Sequence, residues 1–156
     1  MTKPDGKKYQ QTFSYEQLDH DDLSLVKAAI DVLKANFHST KHQVGCALRA
    51  ASGKIYTAVN IEASIYGQCA EVIAIGTAVS CGEREIKSIV AVKKIGENFP
   101  VISPCGNCRQ LILDYAHNAT VVVNIDGEPV KARAIDLLPG AYENSFTGIA
   151  RSSSLD

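Results

Sequence analysis

The chain has no tryptophan, one methionine and four phenylalanines, and aromatic residues make up only 6% of its 156 positions. Stacking platforms for the bases of a polynucleotide are therefore scarce. Neither sign of charge is in excess: sixteen lysines and arginines face seventeen aspartates and glutamates, a formal net charge of −1, and no basic block interrupts the sequence. An electrostatic grip on a nucleic-acid backbone is not expected. No run approaches the ~20 apolar residues of a membrane span, and Met1 to Gln11 is polar without an apolar signal core. The expectation is a cytoplasmic protein with neither a membrane nor a nucleic-acid partner. Five cysteines, an odd number, argue against a secreted disulfide framework. With 46% hydrophobic and 21% charged residues, the length suits one domain over residues 1–156, with about 1–20 and 147–156 as arms.

What is present is concentrated chemistry. Cys69-Ala70-Glu71 and Pro104-Cys105-Gly106-Asn107-Cys108 offer three thiolates and one carboxylate. Structural zinc is usually closed by four protein ligands, whereas catalytic zinc keeps a position for water and lowers its pKa to about 7. Three sulfurs therefore favour chemistry over stapling. Cys69 opens the apolar stretch Ala70 to Val79, which reads as a helix closed by Gly82, and Cys105 opens another that runs to about Ala116. A cysteine in the first turn of a helix meets the positive end of the macrodipole and unpaired N–H groups, which favour the thiolate. Glu71, two residues into its helix, would project toward the same point and could serve as base and acid in turn. A lone Cys-x-x-Cys is compatible with a redox pair, half a structural zinc site or coincidence. The combination with Cys-Ala-Glu matches the zinc deaminase signature.

Around these motifs, Leu23, Val26, Ile30, Leu33 and Phe37 recur at helical spacing after Asp21-Asp22, which can cap the first turn. Val44 to Ala50 and Ile55 to Asn60 read as a hairpin about Ala51-Ser52-Gly53-Lys54, and Ile86 to Val92 as a buried strand. Thr120 to Ile125, an Asp126-Gly127 turn, Val130 to Arg133 and a short helical piece ending at Pro139 follow the second cysteine helix. Two strand-to-helix units side by side give a mixed sheet in an α/β fold, with a ligand expected beyond the strands' carboxyl ends. Cys46 in a strand and Cys81 at a helix end read as small buried hydrophobes.

The stretch from about Gln43 to Tyr142 resembles the small cytidine deaminase family, including its blasticidin S deaminase branch. His42 to Leu48, Asn60-Ile61-Glu62, Cys69-Ala70-Glu71, Ser103 to Gln110 and Leu137 to Tyr142 carry the resemblance, in the same order and at similar separations. It implies a three-layer α/β/α sandwich, one Zn2+ per subunit held by Cys69, Cys105 and Cys108, Glu71 as catalytic proton shuttle, and a homotetramer with sites near subunit boundaries. It further implies that the backbone N–H of Ala70 and carbonyls near Ser103 and Pro104 hold the base, that Asn60 and Glu62 meet the sugar hydroxyls, and that His42 lies against the pyrimidine. Arg109 is a candidate to balance the thiolate charge, and Tyr142 and Phe146 are candidates to reach a neighbouring site; each has an ordinary structural reading beside the functional one.

Two departures are informative. Cytidine deaminases usually carry arginine after the catalytic glutamate, where this chain has Val72, and two more residues between the Asn-x-Glu element and the zinc cysteine. The apolar residue, the compact Tyr66-Gly67-Gln68 approach and His42 are closer to the blasticidin S branch. The expectation is zinc-dependent hydrolytic deamination of a cytosine nucleoside, blasticidin S ahead of cytidine and deoxycytidine. A non-enzymatic zinc or redox module and a polynucleotide deaminase are the alternatives.

Overall fold

Asp19 begins the first helix through a reciprocal cap: the Asp22 N–H donates to its carboxylate at 3.0 Å, and its own N–H donates to the Asp22 carboxylate at 2.9 Å. The computed structural model describes residues 15–142, and this helix, α1, spans His20–Asn36. The cap thus starts two residues before the expected Asp21-Asp22. The buried face is also turned from the expected stripe. Leu25, Ala29 and Leu33 are fully buried, whereas Leu23 is 56% and Phe37 40% exposed. The reason is a close approach to the sheet at Gly45, where a Cβ would stand 2.4 Å from the Ala29 carbonyl oxygen and 2.8 Å from the Leu33 Cβ. Small residues at that crossing set the rotation of α1, and the larger Leu23 and Phe37 are left at its margins.

Six strands follow as β1 (Val44–Ala50), β2 (Ile55–Val59), β3 (Ile86–Lys93), β4 (Val101–Ile102), β5 (Thr120–Ile125) and β6 (Glu128–Arg133). They form a mixed sheet of order β2-β1-β3-β5-β6, with the two-residue β4, which sequence pattern did not show, paired to β3. Only β3 and β5 pair in parallel among the described strands. Helix α2 (Ala70–Ser80) connects β2 to β3, and α3 (Gly106–Ala116) leads into β5. Since β1 is antiparallel to both β2 and β3, those two run the same way, and both crossover helices begin at the carboxyl edge of the sheet.

Alternation along the strands builds two cores. Cys46, Leu48, Ile89, Val121 and Val123 meet α2 and α3 through Ala74, Ile75, Ala78, Ile112 and Ala116. Ala47, Val90, Val92 and Val122 meet α1 through Leu25, Ala29 and Leu33. The result is the expected three-layer sandwich. Cys46 is buried as expected; Cys81 is exposed, because it sits at the C-terminal cap of α2, where the chain turns to solvent at Gly82. No helix among the described residues is long and apolar enough to cross a membrane.

Residues 1–14 and 147–156 of the expected arms, and Phe146, lie outside the described residues. The described end of the first arm is tied down. Glu16 and Lys131 exchange backbone hydrogen bonds of 3.0 and 2.9 Å, and the Lys131 ammonium lies 2.8 Å from Asp19 and 3.0 Å from Asp22.

Candidate metal centre and active site

Cys69 and Cys105 are the N-caps of α2 and α3, both with extended backbone, and Cys108 lies in the first turn of α3. Because both helices begin at one edge of the sheet, their sulfurs converge. The Cys69 and Cys105 Sγ atoms are 3.8 Å apart, and all three sulfurs lie within 4.8 Å of one another. Zinc–sulfur bonds of about 2.3 Å at tetrahedral angles place sulfurs about 3.8 Å apart, so the donor set fits a tetrahedral zinc with three protein ligands. Cys108 is buried, Cys69 half-buried and Cys105 exposed, which leaves the cluster open on one side.

Burial pushes the thiols of Cys69 and Cys108 up, and the Glu71 charge adds to this at both. Burial acts the same way on Cys105, but the backbone N–H groups of Cys108 and Asn107 and the neighbouring thiols outweigh it and bring Cys105 below its ordinary range. The α3 N-terminus is doing this, as a helix start does for a thiolate. Thiol protons must leave when a divalent cation binds.

Glu71 is 5% exposed. Burial raises its carboxyl above the usual range, and its own backbone N–H and the Cys108 thiol offset part of that rise. Glu71, Ala91, Pro104 and Ile112 line one small gap inside the protein. Ala70 is buried between Cys69 and Glu71, and its N–H belongs to the helix turn that has no intrahelical acceptor.

A second group flanks the first. Asn60 is 7% exposed. Its Oδ1 accepts from the Gln43 and Val44 N–H groups at 2.8 and 2.9 Å, and its Nδ2 donates to Lys41 O at 3.2 Å and Glu62 Oε1 at 3.1 Å. Both lone pairs and both amide protons are thereby occupied, so Asn60 orients Glu62 instead of presenting a free amide. The Glu62 carboxylate is exposed. It fits beside Gly67, where a Cβ would come within 2.9 Å of Ile61 O and 3.2 Å of Glu62 Oε2. His42 lies 2.8 Å through Nδ1 from the Asn60 carbonyl; a carbonyl only accepts, so Nδ1 carries a proton. Backbone bonds of 2.9 and 2.8 Å between Ile61 and Gln68 close the loop that joins this group to Cys69.

The remaining expected site residues are placed differently. Arg109 donates Nε to Pro104 O at 2.9 Å and Nη1 to Leu137 O at 3.0 Å, bracing the chain before Cys105 from the protein side. Tyr142 is 67% exposed, with its carbonyl accepting from Gln110 Nε2 at 3.1 Å. The Ser103 hydroxyl donates to the Asn124 carbonyl at 3.1 Å. Asn124 had no motif to mark it; a polar residue ending the apolar run Val121 to Val123 was the available signal.

The cytidine and deoxycytidylate deaminase zinc-binding region matches residues 19–124. The chain is 41% identical over 138 residues to a blasticidin-S deaminase of Bacillus cereus, covering 84% of this chain and 96% of that protein. It is 39% identical over 102 residues to a probable cytidine deaminase of Dictyostelium discoideum, covering 64% and 68%. The crystal structure of a cytidine deaminase from Burkholderia pseudomallei superposes with a TM-score of 0.66 at 30% identity, covering 80% of this chain and 100% of that one. The three-sulfur cluster and buried glutamate at paired helix starts are thus accounted for: the chain belongs to the cytidine and deoxycytidylate deaminase family of zinc-dependent hydrolytic deaminases.

Proposed function

We propose that this protein hydrolyses the C4 amino group of a cytosine nucleoside, with blasticidin S as the preferred substrate and its deaminohydroxy form and ammonia as products. The observation that carries the reading is Glu71, a carboxylate buried to 5% exposure beside three converging sulfurs. Zinc held by Cys69, Cys105 and Cys108 would supply Lewis-acid activation of water. Glu71 takes a proton from the attacking water and delivers it to ring N3, then takes the second proton from the new C4 hydroxyl and passes it to the departing amine. A C4–O bond forms, the C4–N bond breaks, and the balance is one water in and one ammonia out. The Ala70 N–H and the Ser103 carbonyl hold the base, and Arg109, through the Pro104 carbonyl, steadies the segment that carries Ser103.

The choice of blasticidin S is supported by the 41% identity that extends over 96% of the Bacillus cereus relative, and by Val72 and the compact Tyr66-Gly67-Gln68 approach. A second reading, cytidine or deoxycytidine salvage, is favoured by Glu62, whose carboxylate is held by Asn60 as an acceptor for sugar hydroxyls. His42 lies beside that pair, and Tyr142 would join from the C-terminal side. The proposal includes one deaminase domain over the whole chain, a cytoplasmic homotetramer and a role in antibiotic resistance.

Ammonia release from blasticidin S, cytidine and deoxycytidine, measured with zinc stoichiometry, tests the reading. Blasticidin S is expected to show the highest kcat/KM. Strong cytidine turnover without antibiotic turnover would transfer the assignment to salvage, and zinc binding without any ammonia release would leave only a metal-binding module.

A further inference from the structure

The short strand β4 wedges into the sheet at the point where Cys105 must be delivered. Parallel pairing of β3 with β5 runs only from Ser88↔Thr120 to Val90↔Val122; the next two positions of β3, Ala91 and Val92, pair instead with Ile102 and Val101. No ladder joins β4 to β5 among the described residues. Side chains take over there. Asn124 Nδ2 donates to Val101 O at 3.2 Å, the Asn124 N–H donates to Ser103 Oγ at 3.1 Å, and Ser103 Oγ donates to Asn124 O at 3.1 Å. Asn124 Oδ1 is held in turn by the Gly127 N–H at 3.0 Å, at the Asp126-Gly127 turn into β6, so the amide cannot swing away. The segment Val101 to Ser103 is fixed on one edge by two backbone pairs to β3 and on the other by Asn124. Pro104 and Cys105 follow directly.

We propose that Asn124, acting with the Ser103 hydroxyl, is a positioning residue that sets where Cys105 and the Ser103 carbonyl stand relative to Cys69. The inference rests on the reading of the three cysteines as zinc ligands. Residues that orient metal ligands without touching the metal typically change affinity or activity by about 10–100-fold when removed. Asn124→Ala deletes the bond to Val101, Ser103→Ala deletes the reciprocal pair, and Ser103→Thr keeps the hydroxyl.

The test compares zinc affinity by chelator competition in the folded, full-length protein, together with the thiolate-to-metal absorption of its cobalt form. Asn124→Ala and Ser103→Ala are each expected to weaken zinc about tenfold and to shift the cobalt spectrum, whereas Ser103→Thr keeps wild-type affinity. Gly45→Ala, placed under α1, serves as a stability control and is expected to lower the melting temperature without changing zinc affinity. Wild-type affinity in both alanine variants overturns the proposal, as does equal weakening by Gly45→Ala. If Asn124→Ala fails to fold, the contrast between Ser103→Ala and Ser103→Thr decides alone. A wild-type protein that binds zinc but releases no ammonia from any cytosine nucleoside sinks the functional reading and leaves this comparison intact.

Discussion

Glu71→Gln tests the proposed proton carrier and leaves the rest of the cleft in place. The two side chains have nearly the same shape, so the packing of this buried position is kept, and the three sulfurs are untouched. Losing a positioned acid–base group costs about 10²–10⁴ in rate. The low end applies where solvent or a neighbour takes the proton instead. Here the carboxylate is 5% exposed, the Ser103 hydroxyl is engaged by Asn124, and the Asn60 amide is fully occupied. A loss of about 10³-fold in kcat is therefore expected, about 4 kcal/mol of transition-state stabilisation. Zinc content should stay at one per chain. Stability should hold or rise, since the substitution removes one negative charge from a site already crowded with thiolates. Ammonia release, metal analysis and a thermal melt on the same preparation measure all three. A zinc-loaded Glu71→Gln protein that turns over within about tenfold of wild type would refute the assignment of proton transfer to Glu71.

Three further outcomes are expected. Gly45→Ala forces a methyl against the Ala29 carbonyl and Leu33; overpacking of this kind costs about 1–3 kcal/mol, about 3–10 °C of melting temperature at this size, and an unchanged melt would mean α1 does not lie this close to β1. Asn60→Asp keeps the acceptors for the Gln43 and Val44 N–H groups but loses the donor to Glu62; KM is expected to rise about tenfold, the scale of one hydrogen bond to a charged group, and an unaltered KM would remove Glu62 from substrate binding. The Lys131 ammonium, chiefly by its hydrogen bond, lowers the Asp19 carboxyl from 3.8 to about 2. An acid depressed in the folded state stabilises above its unfolded value and loses that contribution as pH falls through the folded one, so melts of Lys131→Met and wild type should differ at neutral pH and converge toward about pH 2. A gap that persists there would show that the contact between α1 and β6 is not electrostatic.

The helix starts at Cys69 and Cys105 were legible because a motif and an apolar run coincide at each, and the strands because Val44 to Ala50 and Thr120 to Ile125 are apolar runs bounded by turn residues. The rotation of α1 was not, because the spacing of Leu23, Val26, Ile30, Leu33 and Phe37 registers apolar size, while the packing is decided by Ala29 and Gly45 at closest approach. A two-residue strand such as β4 carries no period at all. The clamps at Asn60 and Asn124 depend on backbone groups from distant segments: 17 residues separate Asn60 from Gln43, and 23 separate Asn124 from Val101. Asn60 was flagged by its motif, but its full set of partners was invisible until those segments met.

Val72 poses the remaining electrostatic question, since an arginine at that position would have offset the thiolates. Three thiolates around a divalent cation leave a net −1. Arg109 directs Nε and Nη1 to the Pro104 and Leu137 carbonyls. Each helix N-terminus acts as roughly +0.5 of a charge, and the cluster is capped by two, α2 at Cys69 and α3 at Cys105. Together they come to about +1, the size of the thiolate surplus before the Glu71 carboxylate is counted. At Cys105 the Cys108 and Asn107 N–H groups, together with hydrogen bonds from the neighbouring thiols, bring the thiol below its ordinary range despite the opposing effect of burial. Backbone dipoles are fixed in direction by the sheet edge from which both helices start. They can hold the charge balance while leaving the position after Glu71 apolar, as it is at Val72.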